Sequence, residues 1–579
     1  MKTPQTSKIA CAAKLWLLLL FLAPLLMAQA QFTFTTNNDG SLNLAQYTGL
    51  GGAVIIPNTT NGLPITSIGD AAFFENTTLT SVMVGTNVAS IADQAFSYSS
   101  MTTITLPASV TNIAFDSFLD CNSLTAITVA ANNPDFSSVA GVLFNQNQTT
   151  LIEFPEGKVG SYAVPNSVTN IGVYAFYDSS NLTSVALSTN VSSIEDYAFY
   201  DCPGLTAITV NTNNLWYSSV AGVLFDKSQD TLIQYPAASA ATSYVVPNTV
   251  TNIGMEAFYN CLNLINVTLG TNVVIVGNAS FERCQSLASI TFPNSVAVVG
   301  GDAFVDCDGL TNIALGTGVT NILDQAFLGC SSVTTIAVAA GNPAFISVGG
   351  VLFNKNQTAL FLYPAASSAT SYAIPDSVTD IVQDSFMGAY NLASITLGTN
   401  VQIVGDSAFQ DCYSLTSILI PNSVTNLGNS TFFYCYSLTN VVIGSGLASL
   451  GFQDFSYCFD LASVYFTGNA PAMSSDVFDD DTAATAYYLP GTTGWSATFD
   501  DLPTAPWLPE IVASGVQANQ FSFQVNWAGG QTVVVESCTN LSHPVWSPLQ
   551  TNLLTSSSWY FSDPQWTNYP SRFYRASSP

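Results

Sequence analysis

"AFVDCDGLTNIALGTGVTNILDQAFLGC" runs from Ala303 to Cys330 and opens and closes alike, with Ala-Phe, two variable residues and a cysteine. Phe304 and Phe327 lie 23 residues apart, and so do Cys307 and Cys330. Outward from this stretch the same phenylalanine recurs at 73, 96, 118, 176, 199, 258, 281, 304, 327, 386, 409, 432, 455 and 478. Nine of the thirteen intervals are 23 residues, one is 22, and the other three are 58, 59 and 59. A fixed period of this length marks a repeat array, in which no unit buries its apolar residues alone and neighbours stack to share one core.

Within one unit the apolar residues after Phe304 are Cys307, Leu310, Ile313, Leu315, Val319 and Ile322. Leu-x-x-Ile-x-Leu is the strand-bearing stretch of a leucine-rich repeat, and 23 residues lies within that class. The three long intervals share one cause, an insert that appears three times. It begins at Asn133 ("NPDFSSVAGVLFNQNQTTLIEFP"), Asn213 ("NNLWYSSVAGVLFDKSQDTLIQYP") and Asn342 ("NPAFISVGGVLFNKNQTALFLYP"). "GVLF", a polar turn and a second apolar run read as a β-hairpin.

The slot three residues after the phenylalanine holds Cys121, Cys202, Cys261, Cys284, Cys307, Cys330, Cys412, Cys435 and Cys458. Elsewhere it holds Asn76, Ser99, Ser179, Ala389 and Asp481. A crowded interior slot accepts Cys, Ser and Ala alike, because a free thiol behaves as a small hydrophobe. The expectation is therefore a buried structural ladder of cysteines. Disulfides stay open as an alternative in an oxidising compartment, although parallel Cβ vectors bridge poorly. Metal ligation would not tolerate Ala in the set. Cys538 lies outside the array without an obvious partner.

Lys2, Lys8 and Lys14, the apolar run "LWLLLLFLAPLLM" and Ala28-Gln29-Ala30 make residues 1–30 a secretory signal peptide. No later stretch reaches the length that spans a bilayer, so the expected location is exported, secreted or attached to the cell surface. Charged residues are 8% of the chain and the net charge is −28. With nine Lys and Arg in all, a nucleic-acid partner is not expected, since affinity there comes from bases neutralising phosphates.

The recurring "AF-x-x-C-x-x-L-x-x-I-x-L-P-x-S-V-T-x-I" and the "GVLF…TLI-x-YP" inserts resemble the BspA-like leucine-rich repeat proteins of bacteria. The opening "YTGLGGAVIIPNTTNGLPITSIGDAAF" (Tyr47 to Phe73) and the closing "AYYLPGTTGW" (Ala486 to Trp495) are similar to that family's ends. The resemblance spans about Phe32 to Trp507. It implies an exported or surface protein, in some members an adhesin, and it carries no catalytic site. After "LPTAPW" the period stops. "FSFQVNW", "QTVVVESC", "SSWYFSD" and "RFYRASS" are short strand-like runs between turn-rich pieces, which suggests a small β-sandwich. The segment resembles a C-terminal module found on exported bacterial proteins. The expected fold is mainly β: signal peptide 1–30, N-terminal capping coils 31–72, leucine-rich repeat solenoid 73–502 with three β-hairpin inserts, and a β-sandwich-like domain 503–579.

Chemistry is sparse. The single histidine, His543, precedes Pro544 in an expected loop, and no G-x-S-x-G elbow occurs. Asp302, Asp306 and Asp308 fall where the repeat turns, and Asp479-Asp480-Asp481 lacks the alternating spacing of a calcium loop. No catalytic residue, cofactor or metal is expected. The strand face is more informative. Its first outward positions carry Thr125, Thr183, Thr206, Thr311, Thr334 and Thr416, and a later one carries Thr128, Thr209, Thr268, Thr291 and Thr396. Such a broad, uncharged surface of hydroxyls and methyls suits an extended protein or glycan. Threonine also simply suits exposed strand positions, and both readings stand. Trp216 and Tyr217 in the second insert are candidate contacts, with packing on the adjacent coil as the alternative. The expected function is non-catalytic binding or adhesion. The alternative is a self-assembling structural component of an envelope or matrix.

Overall fold

A computed structural model describes residues 31–481, 483–517 and 519–579. The expected signal peptide, residues 1–30, lies outside the described residues. The chain divides into two compact units. The first comprises residues up to Leu310 together with Asn321–Phe327. The second comprises Thr311–Thr320 and Leu328–Pro579.

In the first unit each coil carries one longer strand and one two-residue strand, and each kind stacks in its own parallel ladder. Leu182–Leu187 pairs with Ala207–Val210, with Val185 opposite Ile208. Asn170–Ile171 pairs with Ser193–Ile194. Both registers step by one repeat. Side chains alternate across a strand, so Leu182, Val185 and Leu187 are buried while Thr183 and Ala186 are exposed. The repeating phenylalanines fall in line between the ladders. Phe176 and Phe199 stack at 5.1 Å, Phe258 and Phe281 at 4.6 Å, and Phe281 and Phe304 at 5.0 Å. Offset stacking adds to their burial about 0.5–1.5 kcal/mol per pair. At the N-terminal end Phe32–Thr36 pairs antiparallel with Leu42–Tyr47, and the Tyr47 ring stacks on Phe73.

The turn around each phenylalanine explains the acidic and amide residues there. The residue two positions after each of the fourteen repeating phenylalanines is left-handed, as at Asp120, Asp201, Asn260, Asp306 and Asp411. The residue two positions before it is left-handed too, as at Tyr174, Tyr197, Glu256, Ala279 and Asp302. Positive φ is uncommon outside glycine, and Asn and Asp tolerate it best. The exception is Asp116, two residues before Phe118. That phenylalanine closes the one interval of 22, so the missing residue comes out of this turn.

The inserts are larger than the expected hairpin. Phe136–Val139, Val142–Asn145 and Thr150–Glu153 form a three-stranded antiparallel meander, and the third strand then joins the two-residue ladder in parallel with Asn170–Ile171. "VLF" is fully buried in all three copies. An aromatic at the end of each insert takes the ring position. Phe154 lies 5.4 Å from Phe176, Tyr235 stacks at 5.1 Å on Phe258, and Tyr363 at 5.0 Å on Phe386. The long intervals of the sequence are therefore two coils, one of them widened by the meander.

In the second unit the longer strands run in parallel through Ser371–Ala373, Ser394–Thr396, Ser417–Ile420, Asn440–Ile443, Ser463–Phe466, Thr485–Tyr488 and Leu502–Pro506. The last of these straddles the 502/503 boundary drawn from sequence. Beyond it lie two three-stranded antiparallel sheets. One is formed by Glu510–Gln517, Gln520–Asn526 and Ser558–Asp563, the other by Ser547–Leu553, Thr532–Cys538 and Phe573–Ser577. Phe523, Val525, Trp527, Val533, Val535 and Phe561 fill the space between them, joined by Leu489 from the repeats. The fold is thus a mainly β leucine-rich repeat solenoid followed by a small β-sandwich-like module. The described residues contain no α-helix, and their one 3₁₀ turn is Trp566–Asn568.

Candidate binding surface

The outward threonines sit where strand alternation places them. In the first unit Thr125, Thr128, Thr183, Thr206, Thr209, Thr268 and Thr291 are exposed, and in the second Thr334, Thr396 and Thr416 are exposed while Thr311 is half-buried. The two rows differ in chemistry. Thr125 Oγ1 donates to the Thr102 carbonyl at 3.0 Å, and Thr206 Oγ1 donates to the Thr183 carbonyl. Thr334 and Thr416 reach the Thr311 and Ala393 carbonyls in the same way. Thr125, Thr206, Thr334 and Thr416 therefore use their protons to tie one coil to the next and offer a partner only lone pairs and methyls. In the other row Thr209 makes a long bond of 3.5 Å to the Val185 carbonyl. Thr128, Thr268, Thr291 and Thr396 keep both donor and acceptor outward.

The inserts divide these rows. In the first unit Ile127 N–H donates to the Gly141 carbonyl and Val129 N–H to Ser138 Oγ, which closes the open edge of Ala126–Val129. Ile208 N–H and Val210 N–H are closed by Gly222 and Ser219 in the same manner. The surface is therefore a series of short panels and not the single broad face expected from sequence. Trp216 stands at the edge of the second insert and is 45% exposed, whereas Tyr217 packs against the core. Both are positioned by a buried asparagine. Asn214 Oδ1 accepts from Trp216 N–H and Tyr217 N–H, and its Nδ2 donates to the Ser188 and Val191 carbonyls. Asn133 and Asn342 make the same four bonds in their inserts. Four well-aligned bonds satisfy a buried amide in full. The signal was present in sequence as an asparagine at the head of every insert.

The nine ladder cysteines are buried, and none of them forms a disulfide. Their thiols have a job. Cys284 Sγ donates to the Phe258 carbonyl, and Cys435 Sγ to the Phe409 carbonyl, at 3.1 and 3.2 Å. Cys121, Cys202, Cys307, Cys412 and Cys458 do the same toward the ring residue of the preceding coil. That carbonyl already accepts a turn N–H, as Phe409 does from Cys412, so the thiol occupies its second lone pair. Burial pushes the Cys121 and Cys412 thiols up to about 12, which keeps them protonated as donors. Cys538 is also buried and unpaired, in the C-terminal module.

Among the acids, Asp479 and Asp480 are exposed, whereas Asp481 fills a cysteine slot. Both its oxygens are buried without a hydrogen bond, and burial pushes its pKa up to about 8. Among the described residues no three His, Cys, Asp or Glu side chains are placed to share a metal ion. His543 is exposed. A cleft of about 640 Å³ in the second unit was not foreseen. Tyr465, Tyr487 and Trp507 from the last repeats face Glu510, Gln524, Asn526 and Trp527 of the module across it.

No curated protein matches the chain. A leucine-rich cell surface protein of Faecalibacterium prausnitzii has 22% identity over 76% of this chain and 94% of its own, with a TM-score of 0.33. A leucine-rich repeat protein of Bacteroides ovatus has 19% identity over 79% of this chain and 98% of its own, with a TM-score of 0.29. The model of the BspA type leucine-rich repeat region matches in six copies, over residues 53–163, 153–221, 237–358 and 361–485. With more than half of its length matched, the chain belongs to the BspA type leucine-rich repeat family.

Proposed function

We propose that this is an exported, non-catalytic binding protein that engages an extracellular protein or glycan through its repeat surface. Residues 1–30 act as the signal peptide, 31–72 cap the array, 73–502 form the binding solenoid and 503–579 a separate module. The observation that carries the reading is the placing of exposed, uncharged hydroxyl side chains at one strand position within the panels, on adjacent coils at Thr105 and Thr128 and at Thr268 and Thr291 and singly at Thr209 and Thr396. Coils about 4.8 Å apart present those groups at a spacing an extended chain can follow. Thr128, Thr209, Thr268, Thr291 and Thr396 make the polar contacts, and Trp216 adds an apolar edge. The family's leucine-rich repeat fold agrees with a binding or adhesion role.

The test is a binding screen of the full secreted chain, monomeric by light scattering, against immobilised glycans and extracellular proteins. Saturable binding that weakens at least about tenfold when Thr128 and Thr209 are changed together to Arg supports the reading. Binding to none of them counts against it. Growth of oligomers with concentration would instead favour a self-assembling envelope or matrix component.

A further inference from the structure

Two outward columns flank the phenylalanine stack in the first unit, at positions the threonine rows do not touch. Around the repeating phenylalanines the position two before the ring holds Tyr174, Tyr197, Glu256, Ala279 and Asp302, and the position after it holds Tyr177, Tyr200, Tyr259 and Glu282, with the coil of the second insert falling between Phe199 and Phe258. Both columns begin aromatic and turn acidic. Tyr174 stacks on Tyr197 at 5.0 Å, Tyr177 on Tyr200 at 5.6 Å, and Tyr197 meets Tyr200 edge to face at 5.9 Å. The first column of rings stops at Tyr197, because beyond the insert coil the same position supplies Glu256 and then the small Ala279. The result is a cavity of about 430 Å³ lined by tyrosine rings and by four acids, Asp116, Glu256, Glu282 and Asp302. No basic side chain lines it.

Glu256 is the telling residue. It is 5% exposed as a residue, it lines the cavity, and its carboxylate oxygens keep some accessible surface without a side-chain hydrogen bond or ion pair. A carboxylate largely withdrawn from water is costly unless something compensates it. Its acidity agrees with this, since burial, then the charges of Glu282 and Asp196, push it up to about 8. Ring faces carry negative quadrupole charge and attract cations, more strongly where water is excluded. The carboxylates are not gathered into a group that would share a metal ion, and the cavity is wide and aromatic. An organic cation on an apolar stem matches both features.

We propose that this cavity receives a lysine or arginine side chain presented by a basic segment of a partner protein. The ammonium or guanidinium pairs with Glu256, and the stem lies against Tyr197 and Tyr200. The site is independent of the threonine rows, so either can fail without the other.

The test uses the full chain and a short synthetic peptide alternating arginine and glycine, titrated by calorimetry at about 0.15 M salt, where exposed charges are largely screened. The expected result is saturable binding that weakens about thirtyfold or more in Glu256→Gln, as for a desolvated charge pair. Asp479→Asn, which removes one exposed charge far along the sequence, should change affinity less than about twofold. Ala279→Tyr provides a second test that removes no charge. It extends the ring column into the cavity at a position whose φ of 50° resembles the 61° of Tyr197, so the fold should tolerate it, and it should abolish binding. Equal weakening by Glu256→Gln and Asp479→Asn would mean diffuse attraction to an acidic surface and would overturn the proposal. Undiminished binding by Ala279→Tyr, or no saturable binding by the unaltered chain, would overturn it as well.

Discussion

A cysteine that hydrogen-bonds a buried carbonyl of the previous coil is a packing residue with a polar duty. Its slot was legible in sequence, because Cys alternates there with Ser, Ala, Asn and Asp. Its bond was not, since period and composition say nothing of which carbonyl lies opposite. Cys435→Ala removes the sulfur and leaves the second lone pair of Phe409 without a donor. The expected cost is about 1–2 kcal/mol, read as a lower midpoint in denaturant unfolding. The thiols themselves give a second check. All ten cysteines from Cys121 to Cys538 are buried and form no disulfide. A colorimetric thiol reagent should therefore find none of them in the native protein and all ten after unfolding without reductant. Fewer than ten in the unfolded chain would reveal disulfides.

At the scale of the element, the coil was readable and the insert only half so. Leu310, Ile313 and Leu315 announce a strand by alternation. "GVLF" followed by a polar turn announces a hairpin. The third strand was hidden because "FSSV" and "YSSV" are neither apolar nor strictly alternating. They are held by the asparagine ahead of them and by pairing with "VLF", which are tertiary causes. Asn214→Ala removes four hydrogen bonds at once and leaves the Ser188 and Val191 carbonyls short of a donor. Each stranded group costs about 1–3 kcal/mol. Hydrogen exchange should quicken in Tyr217–Val220 and Val223–Asp226 while the Asn440–Ile443 strand of the second unit stays protected. Uniform loss of protection would mean that the asparagine supports the whole array and not its own insert.

Across the whole molecule, acids that stay buried without bases shape the pH response. Burial pushes Asp454 up to about 7, and Asp481 and Glu256 up to about 8. For each the folded-state pKa lies above the unfolded one, near 4, so the folded chain binds the proton more tightly. Their contribution is fully present below about pH 4 and is lost as pH rises through 7 to 8. The melting temperature should accordingly fall between pH 5 and pH 8. Repulsion within a chain of net charge −28 has the same sign, but a local substitution separates the two. Asp481→Asn should raise the melting temperature at pH 8 and leave it nearly unchanged at pH 4. The composition already held this result, since 37 acids against nine bases cannot all be paired. Which acids are buried could not be read, because burial depends on the slot each occupies in its coil. The tyrosine-lined cavity escaped notice for a related reason. Its residues are far apart in sequence and meet only through the offset from the ring position.

The central claim is that the hydroxyl rows of the repeat surface make the contact with an extracellular partner. The most direct measurement compares two sets of arginine substitutions in the full chain, against whichever glycan or protein binds in the screen. One set places Arg at Thr128, Thr209 and Thr396. The other places it at Thr251 and Thr425, which are exposed next to the two-residue strands. The account predicts at least about tenfold weaker binding in the first set and less than about twofold change in the second. Equal effects in both sets, or loss only in the second, would contradict it.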